Sequence, residues 1–311
     1  LTPKKILDIL YARDGRHQVL KAMKECIDGW AASPGDLHPA TLARYNRCHG
    51  LVETVIRDVY NKEDVAFSDL DRKFITAFER YLKETCGLAW NTAAKYLECF
   101  RKVLKVAQQK GWMEHGKFLE ELGQLCVKEK TSPSFLDWDE LKTVMETDMP
   151  SGRLKRVKDV FVFCALTGLS YQRVSTLCPS HLFRDDEGTL WICRTRAEGG
   201  EAGDNYISRV PLLKPAMVLL EKYRGWNPMN PEGPCFHVPS VQKMNEYLKE
   251  VSVLCRISKR LTTQMARNTF AATVTLANRI PKEHVGEMLG YSSDYMLRHY
   301  MQALERNSQK A

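Results

Sequence analysis

The sequence contains no C-x-x-C pair, and its ten cysteines are scattered from Cys26 to Cys255. This excludes the paired-ligand pattern of a structural zinc site and the thioredoxin-like redox motif. The cysteines read instead as small buried hydrophobes in a reducing compartment. No uninterrupted apolar stretch approaches the roughly 20 residues needed to cross a bilayer, and no charged segment followed by an apolar core opens the chain. The expectation is a cytoplasmic protein with no membrane partner. Long low-complexity tracts and internal repeats are also missing. With 44% hydrophobic and 27% charged residues, the composition is far from that of a disordered chain.

What is present fills 311 residues, enough for two ordinary domains of roughly 100 to 200 residues each. The net charge of +8 suits a polyanionic partner, because lysine and arginine displace counterions from phosphates. From Pro39 to Trp112 apolar residues recur at helical spacing: Leu51, Val55 and Val59, then Phe74, Phe78 and Leu82, then Tyr96, Phe100, Val103, Leu104 and Ala107. Ser68 and Asn91 are the expected N-caps within this helical unit. Before it, Val19, Leu20, Met23, Ile27 and Trp30 mark one further helix ending near Pro34.

The pattern lapses in KEKTSPS, residues 128 to 134, and Asp137 to Glu140 then supplies a capping box for a new helix. The predicted division is an N-terminal helical segment (1–35), a helical domain (36–127), a linker (128–136) and a second domain (137–311). In the second domain the period changes at Leu190 to Cys193 and again at Tyr206 to Val210, two strands joined by the Gly-rich turn Glu198 to Asp204. Helices are expected over Lys214 to Tyr223, Val241 to Leu254, Thr263 to Ala277, Lys282 to Leu289 and Asp294 to Leu304. Pro281 falls at a helix start and Gly290 at a C′ position. The fold class is therefore mainly α, a helical domain followed by a mostly helical one with a small antiparallel sheet.

The last fifty residues contain Gln264-x-x-Arg267-Asn268-Thr269-Phe270-Ala271, then Leu289-Gly290-Tyr291, then Tyr300 nine residues on. This stretch resembles the tyrosine-recombinase (phage-integrase) family, whose pattern is H-x-x-R-H-T-F-A, a helix ending in L-G-H or L-G-W, and a tyrosine nine residues beyond. It is most similar to the branch carried by mobile elements of Bacteroides-type bacteria. Upstream, Phe135-Leu136, Thr167-Gly168-Leu169, Val210-Pro211-Leu212 and Asn91-Thr92-Ala93 extend the resemblance over about Thr41 to the C-terminus. It implies a core-binding domain on one face of the DNA and a catalytic domain closing around the other. It also implies self-association on duplex DNA as a dimer or tetramer, an accessory DNA-bending protein, and residence with the bacterial nucleoid.

The implied chemistry is strand cleavage by a tyrosine that stays attached as a 3′-phosphotyrosine and frees a 5′-hydroxyl, which conserves the bond energy and needs no metal or nucleotide cofactor. Tyr300 stands at the nucleophile position, although its spacing with Met296, Leu297 and Leu304 also suits simple packing. Arg267 stands where a guanidinium meets the extra charge of the pentacoordinate phosphate.

The other positions depart from the family pattern. Gln264 replaces a histidine, and an amide can position but cannot exchange a proton. Tyr291 replaces His or Trp and keeps a ring with one donor. The second arginine expected after the T-G-L turn is missing there, Ser170 standing in its place, with Arg173 three residues on. No lysine occurs between Leu190 and Leu213, where the family has its proton donor; the cations there are Arg194, Arg196 and Arg209, good phosphate clamps and poor acids. In the first domain Arg44, Thr92, Lys95 and Lys102 are the candidate DNA contacts. Two readings remain open: an active recombinase or integrase, and a catalytically impaired homologue acting as an architectural or regulatory DNA-binding protein.

Overall fold

The computed structural model describes residues 17–33, 37–113, 117–127, 129, 132–195, 207–224, 229–290 and 295–308. The chain forms two compact units, residues 1–130 and 131–311. Among the described residues no helix is long and apolar enough to cross a membrane.

The first unit consists of α1 (Val19–Ala32), α2 (Pro39–Tyr60), α3 (Arg72–Arg80, continued by a π turn, Tyr81–Thr85), α4 (Trp90–Gln109) and α5 (Lys117–Leu125). Its centre is a triad of rings, Phe74, Phe78 and Phe100, with centroids 5.4 to 5.9 Å apart. Each such ring contributes roughly 1.5–3 kcal/mol by leaving water. Val19, Met23 and Ile27 of α1 are buried in the same core, so the N-terminal helix is part of this unit and not a separate segment.

Neither cap predicted in this unit forms. Ser68 sits inside a 3-10 turn, Phe67–Asp69, and α3 is capped by Asp71, which accepts from the Phe74 amide at 3.2 Å. Helix α4 begins one residue before Asn91, after Ala89. The Asn91 amide instead exchanges two hydrogen bonds with the backbone of Glu129, at 2.8 and 3.1 Å.

The second unit opens with α6 (Trp138–Glu146), whose capping box between Asp137 and Glu140 forms as the sequence indicates. Phe135 and Leu136, placed by sequence in the linker, are buried in this unit. There follow α7 (Gly152–Thr167), the short α8 (Tyr171–Ser175), strands β1 (Leu182–Arg184), β2 (Leu190–Thr195) and β3 (Ile207–Pro211), then α9 (Lys214–Lys222) and α10 (Val241–Leu254). The strands form one antiparallel sheet in the order β1-β2-β3, with Ile192 opposite Leu182 and Val210. The Glu198 to Asp204 turn lies outside the described residues.

The helix expected over Thr263 to Ala277 is divided. Helix α11 (Thr263–Thr269) passes into a buried π turn, Phe270–Thr275, and a 3-10 turn, Leu276–Asn278. The wider turn brings two threonines to one residue: Thr269 Oγ1 accepts from the Leu136 amide at 3.0 Å, and Thr273 Oγ1 donates to the Leu136 carbonyl. Helix α12 (Lys282–Leu289) ends on Gly290 at φ 68°, a left-handed position that suits glycine. The last helix, α13 (Tyr295–Ser308), buries Leu297, Tyr300 and Ala303.

Candidate active site

Three segments far apart in sequence meet at the C-terminal end of α12. Helix α7 ends in Gly168 at φ 69°, and the Gly168 carbonyl accepts from Arg267 Nη1. The other guanidinium nitrogen, Nη2, donates to the carbonyl of Leu289, the last residue of α12. Arg267 is only 9% exposed, and its buried charge is stabilised by the two carbonyl dipoles, which also fix the plane of the guanidinium. Beneath it the Cys164 thiol is pushed up to about 12 by burial, an effect Arg267 partly offsets. Glycine is required at 168 on two counts, the left-handed backbone and space, since an added Cβ would lie 2.5 Å from the Phe270 ring.

Arg173 approaches the same helix end from α8. A Cβ added at Gly290 would come within 3.3 Å of its Nη2. Arg194 of β2 holds Arg173 from behind, donating to the Arg173 carbonyl at 2.6 Å and to Thr176 Oγ1 at 2.9 Å. Burial lowers the pKa of Arg194. On β3, Ser208 donates to the Met288 carbonyl at 2.6 Å. The carbonyls at the end of α12 are thus occupied by Ser208 and Arg267, and Arg173 lies alongside.

Tyr300 is fully buried, and its hydroxyl donates to Asn268 Oδ1 at 2.9 Å. Gln264 Nε2 donates to the same oxygen at 2.9 Å, and Asn268 Nδ2 donates to the Ser134 carbonyl at 2.9 Å. Asn268 is therefore the hub of this network, and sequence reading missed it. Its signals were its place four residues after Gln264, on the same helical face, and directly after Arg267. Beside Gln264 a polar groove lined by Ser170, Tyr171, Gln172 and Thr263 opens to solvent.

The structure brings together Arg267, Arg173, Gln264 and Tyr300, with Arg194 in support. Tyr291 and Arg196 lie outside the described residues. The arrangement gathers two guanidinium groups and a buried phenol that donates to Asn268, the residue next to the buried arginine; Asn268 and its partner Gln264 are amides and exchange no proton.

In the first unit Thr92, Lys95 and Lys102 recur along one face of α4, with both lysines exposed. Cys99 is on that face too, and the exposed Arg44 of α2 lies against its thiol; burial raises the Cys99 pKa and Arg44 pulls it back. Lys102 Nζ stands 5.9 Å from the centre of the Trp30 ring. The four candidates therefore share one basic edge.

A helical unit followed by a helical unit with a three-stranded sheet, with two arginines at one helix end and a buried tyrosine bonded to the residue next to one of them, is the arrangement of the tyrosine-recombinase fold. Residues 19–122 match the family model of the phage integrase SAM-like domain. Among solved structures, the Tn1549 transposon integrase in complex with a circular intermediate DNA is similar over 95% of this chain and 100% of its own, with a TM-score of 0.68 at 13% identity. A lambda integrase dimer bound to a core site has a TM-score of 0.65 at 15% identity, covering 91% of this chain and 95% of its own. XerH site-specific recombinase bound to a difH substrate gives 0.61 at 14% identity, over 99% and 88%. No curated protein matches the sequence.

Proposed function

We propose that this chain is a site-specific DNA recombinase, an integrase of a mobile element, that cuts and rejoins duplex DNA through Tyr300. The observation that carries the reading is the meeting of Arg267 and Arg173 at Leu289–Gly290, with the Tyr300 hydroxyl held by the residue next to Arg267. In the proposed step the Tyr300 oxygen attacks phosphorus and gives its proton to water, the bond to the 5′-oxygen breaks, and that oxygen takes up a proton from water; the reverse step rejoins a strand. Arg267 and Arg173 stabilise the equatorial charge. Gln264 and Tyr291 orient the phosphate, Arg194 positions Arg173, and Arg196 adds a phosphate contact from the hairpin. Arg44, Thr92, Lys95 and Lys102 contact the DNA backbone. The DNA-bound state of the similar structures, one of them a dimer, supports duplex DNA as the ligand and self-association upon it. An accessory DNA-bending protein completes the proposed assembly.

A second reading, a DNA-binding homologue with impaired cleavage, is favoured by one observation: the groups on the Tyr300 network are amides, Gln264 and Asn268, and neither exchanges protons. A nicked suicide substrate separates the two. The recombinase reading expects a covalent adduct that Tyr300→Phe abolishes while duplex binding persists. If both the wild-type chain and a variant combining Gln264→His with a lysine in the Ala197 to Asp204 turn form no adduct on the cognate site, the impaired reading holds.

A further inference from the structure

Toward the far end of α7, about 18–22 Å from Gly168 by helical rise, a recess of about 190 Å³ opens between the N-terminal turns of α7 and α10. Arg153 and Arg156 of α7, Lys243 and Tyr247 of α10, and His237 and Pro239 ahead of α10 line it. A helix N-terminus carries partial positive charge, and an acid in the first turn stabilises it by about 0.3–1 kcal/mol. Neither helix has an acid in its first turn. Both carry cations there instead, so three basic side chains bring positive charge to one small space.

Little within the protein offsets this charge. The caps are long, Ser151 accepting from Leu154 at 3.4 Å and Ser240 from Lys243 at 3.5 Å. Glu250 lies 3.6 Å from Arg153, and both are well exposed. Arg153 also rests over the Tyr247 ring at 5.0 Å, which sets the direction of its guanidinium. Asp159, the next acid along α7, is taken up by Lys222 and Tyr223. Among the described residues no carboxylate pairs with Arg156 or Lys243.

We propose that this recess is a binding site for a compact phosphate group, as inorganic phosphate or as the head of a small phosphate monoester. A dianion matches three cations better than a single carboxylate does. The Tyr247 ring and Pro239 form an apolar wall for the organic part of an ester. The volume suits one such group and not a duplex. The site is separate from Arg267 and Tyr300 and does not depend on the reading of those residues.

The test is calorimetry on the full chain with inorganic phosphate and with phenyl phosphate, against chloride at matched ionic strength, joined to a crystal soak in tungstate. The expected result is tungstate density between Arg156 and Lys243, and affinity for both phosphates reduced about tenfold or more in Arg156→Gln/Lys243→Gln, with the thermal midpoint in chloride unchanged. Density confined to other places, or phosphate affinity equal in wild type and variant, overturns the proposal. A variant that loses duplex affinity while keeping phosphate affinity also overturns it, since the recess would then be a DNA contact.

Discussion

The hydrogen bond from Arg267 to Gly168 makes the site depend on a residue with no side chain. Alanine at 168 meets two penalties, a left-handed backbone and a Cβ placed 2.5 Å from Phe270 and 2.9 Å from Leu289. Backbone strain of about 1 kcal/mol and overpacking of about 1–3 kcal/mol give an expected loss of stability of roughly 2–4 kcal/mol for Gly168→Ala, read as a lower urea midpoint. An unchanged midpoint would show that the turn relaxes at no cost. At this scale Arg267 was legible within the stretch Gln264 to Ala271, and Tyr300 by its nine-residue spacing from Tyr291. Asn268 was not. An asparagine on a buried helical face reads as a polar interruption until the fold brings in Tyr300, 32 residues later.

Elements were legible where their cause is local. Helix α10 starts and stops where its apolar period does, and the capping box of α6 is written in four consecutive residues. The π turn after α11 was hidden because the bond it makes possible, from Thr273 to Leu136, joins residues 137 apart in sequence. Strand β1, three residues long, is too short to show alternation. The cap read at Asn91 failed for the same reason as the π turn, since a distant backbone, at Glu129, claims its amide.

Helix α6 carries a prediction of its own. Its closing carbonyls are met by a cation from α7: Lys158, 7% exposed, donates to the Met145 carbonyl at 3.0 Å and to the Thr147 carbonyl at 2.7 Å. Lys158→Met keeps the aliphatic stem and strands both carbonyls, so a loss of about 1–3 kcal/mol is expected. Chemical denaturation followed by circular dichroism measures it, and a neutral result would mean that water replaces the ammonium.

At the scale of the whole molecule, a net charge of +8 and the basic edge formed by Arg44, Lys95 and Lys102 set an electrostatic expectation. Duplex affinity should fall steeply as salt rises, with log K linear in log salt. Lys95→Gln/Lys102→Gln should reduce the slope by up to about two phosphate contacts, measured by fluorescence anisotropy across a salt series. A slope that does not change would move the interface to another face.

The full burial of the Tyr300 phenol has a kinetic consequence. An atom with no exposed surface cannot meet a reagent by collision, so its reaction must begin with an internal rearrangement whose rate belongs to the protein. Adduct formation on a cleavable substrate should therefore approach a ceiling as DNA concentration rises, and that ceiling should be the frequency with which α13 releases the hydroxyl from Asn268. Asn268→Ala, which removes the acceptor, should raise the ceiling while the half-saturating DNA concentration changes little, as read in single-turnover quench experiments. A ceiling lowered by that change would mean that the amide prepares the phenol for attack instead of restraining it.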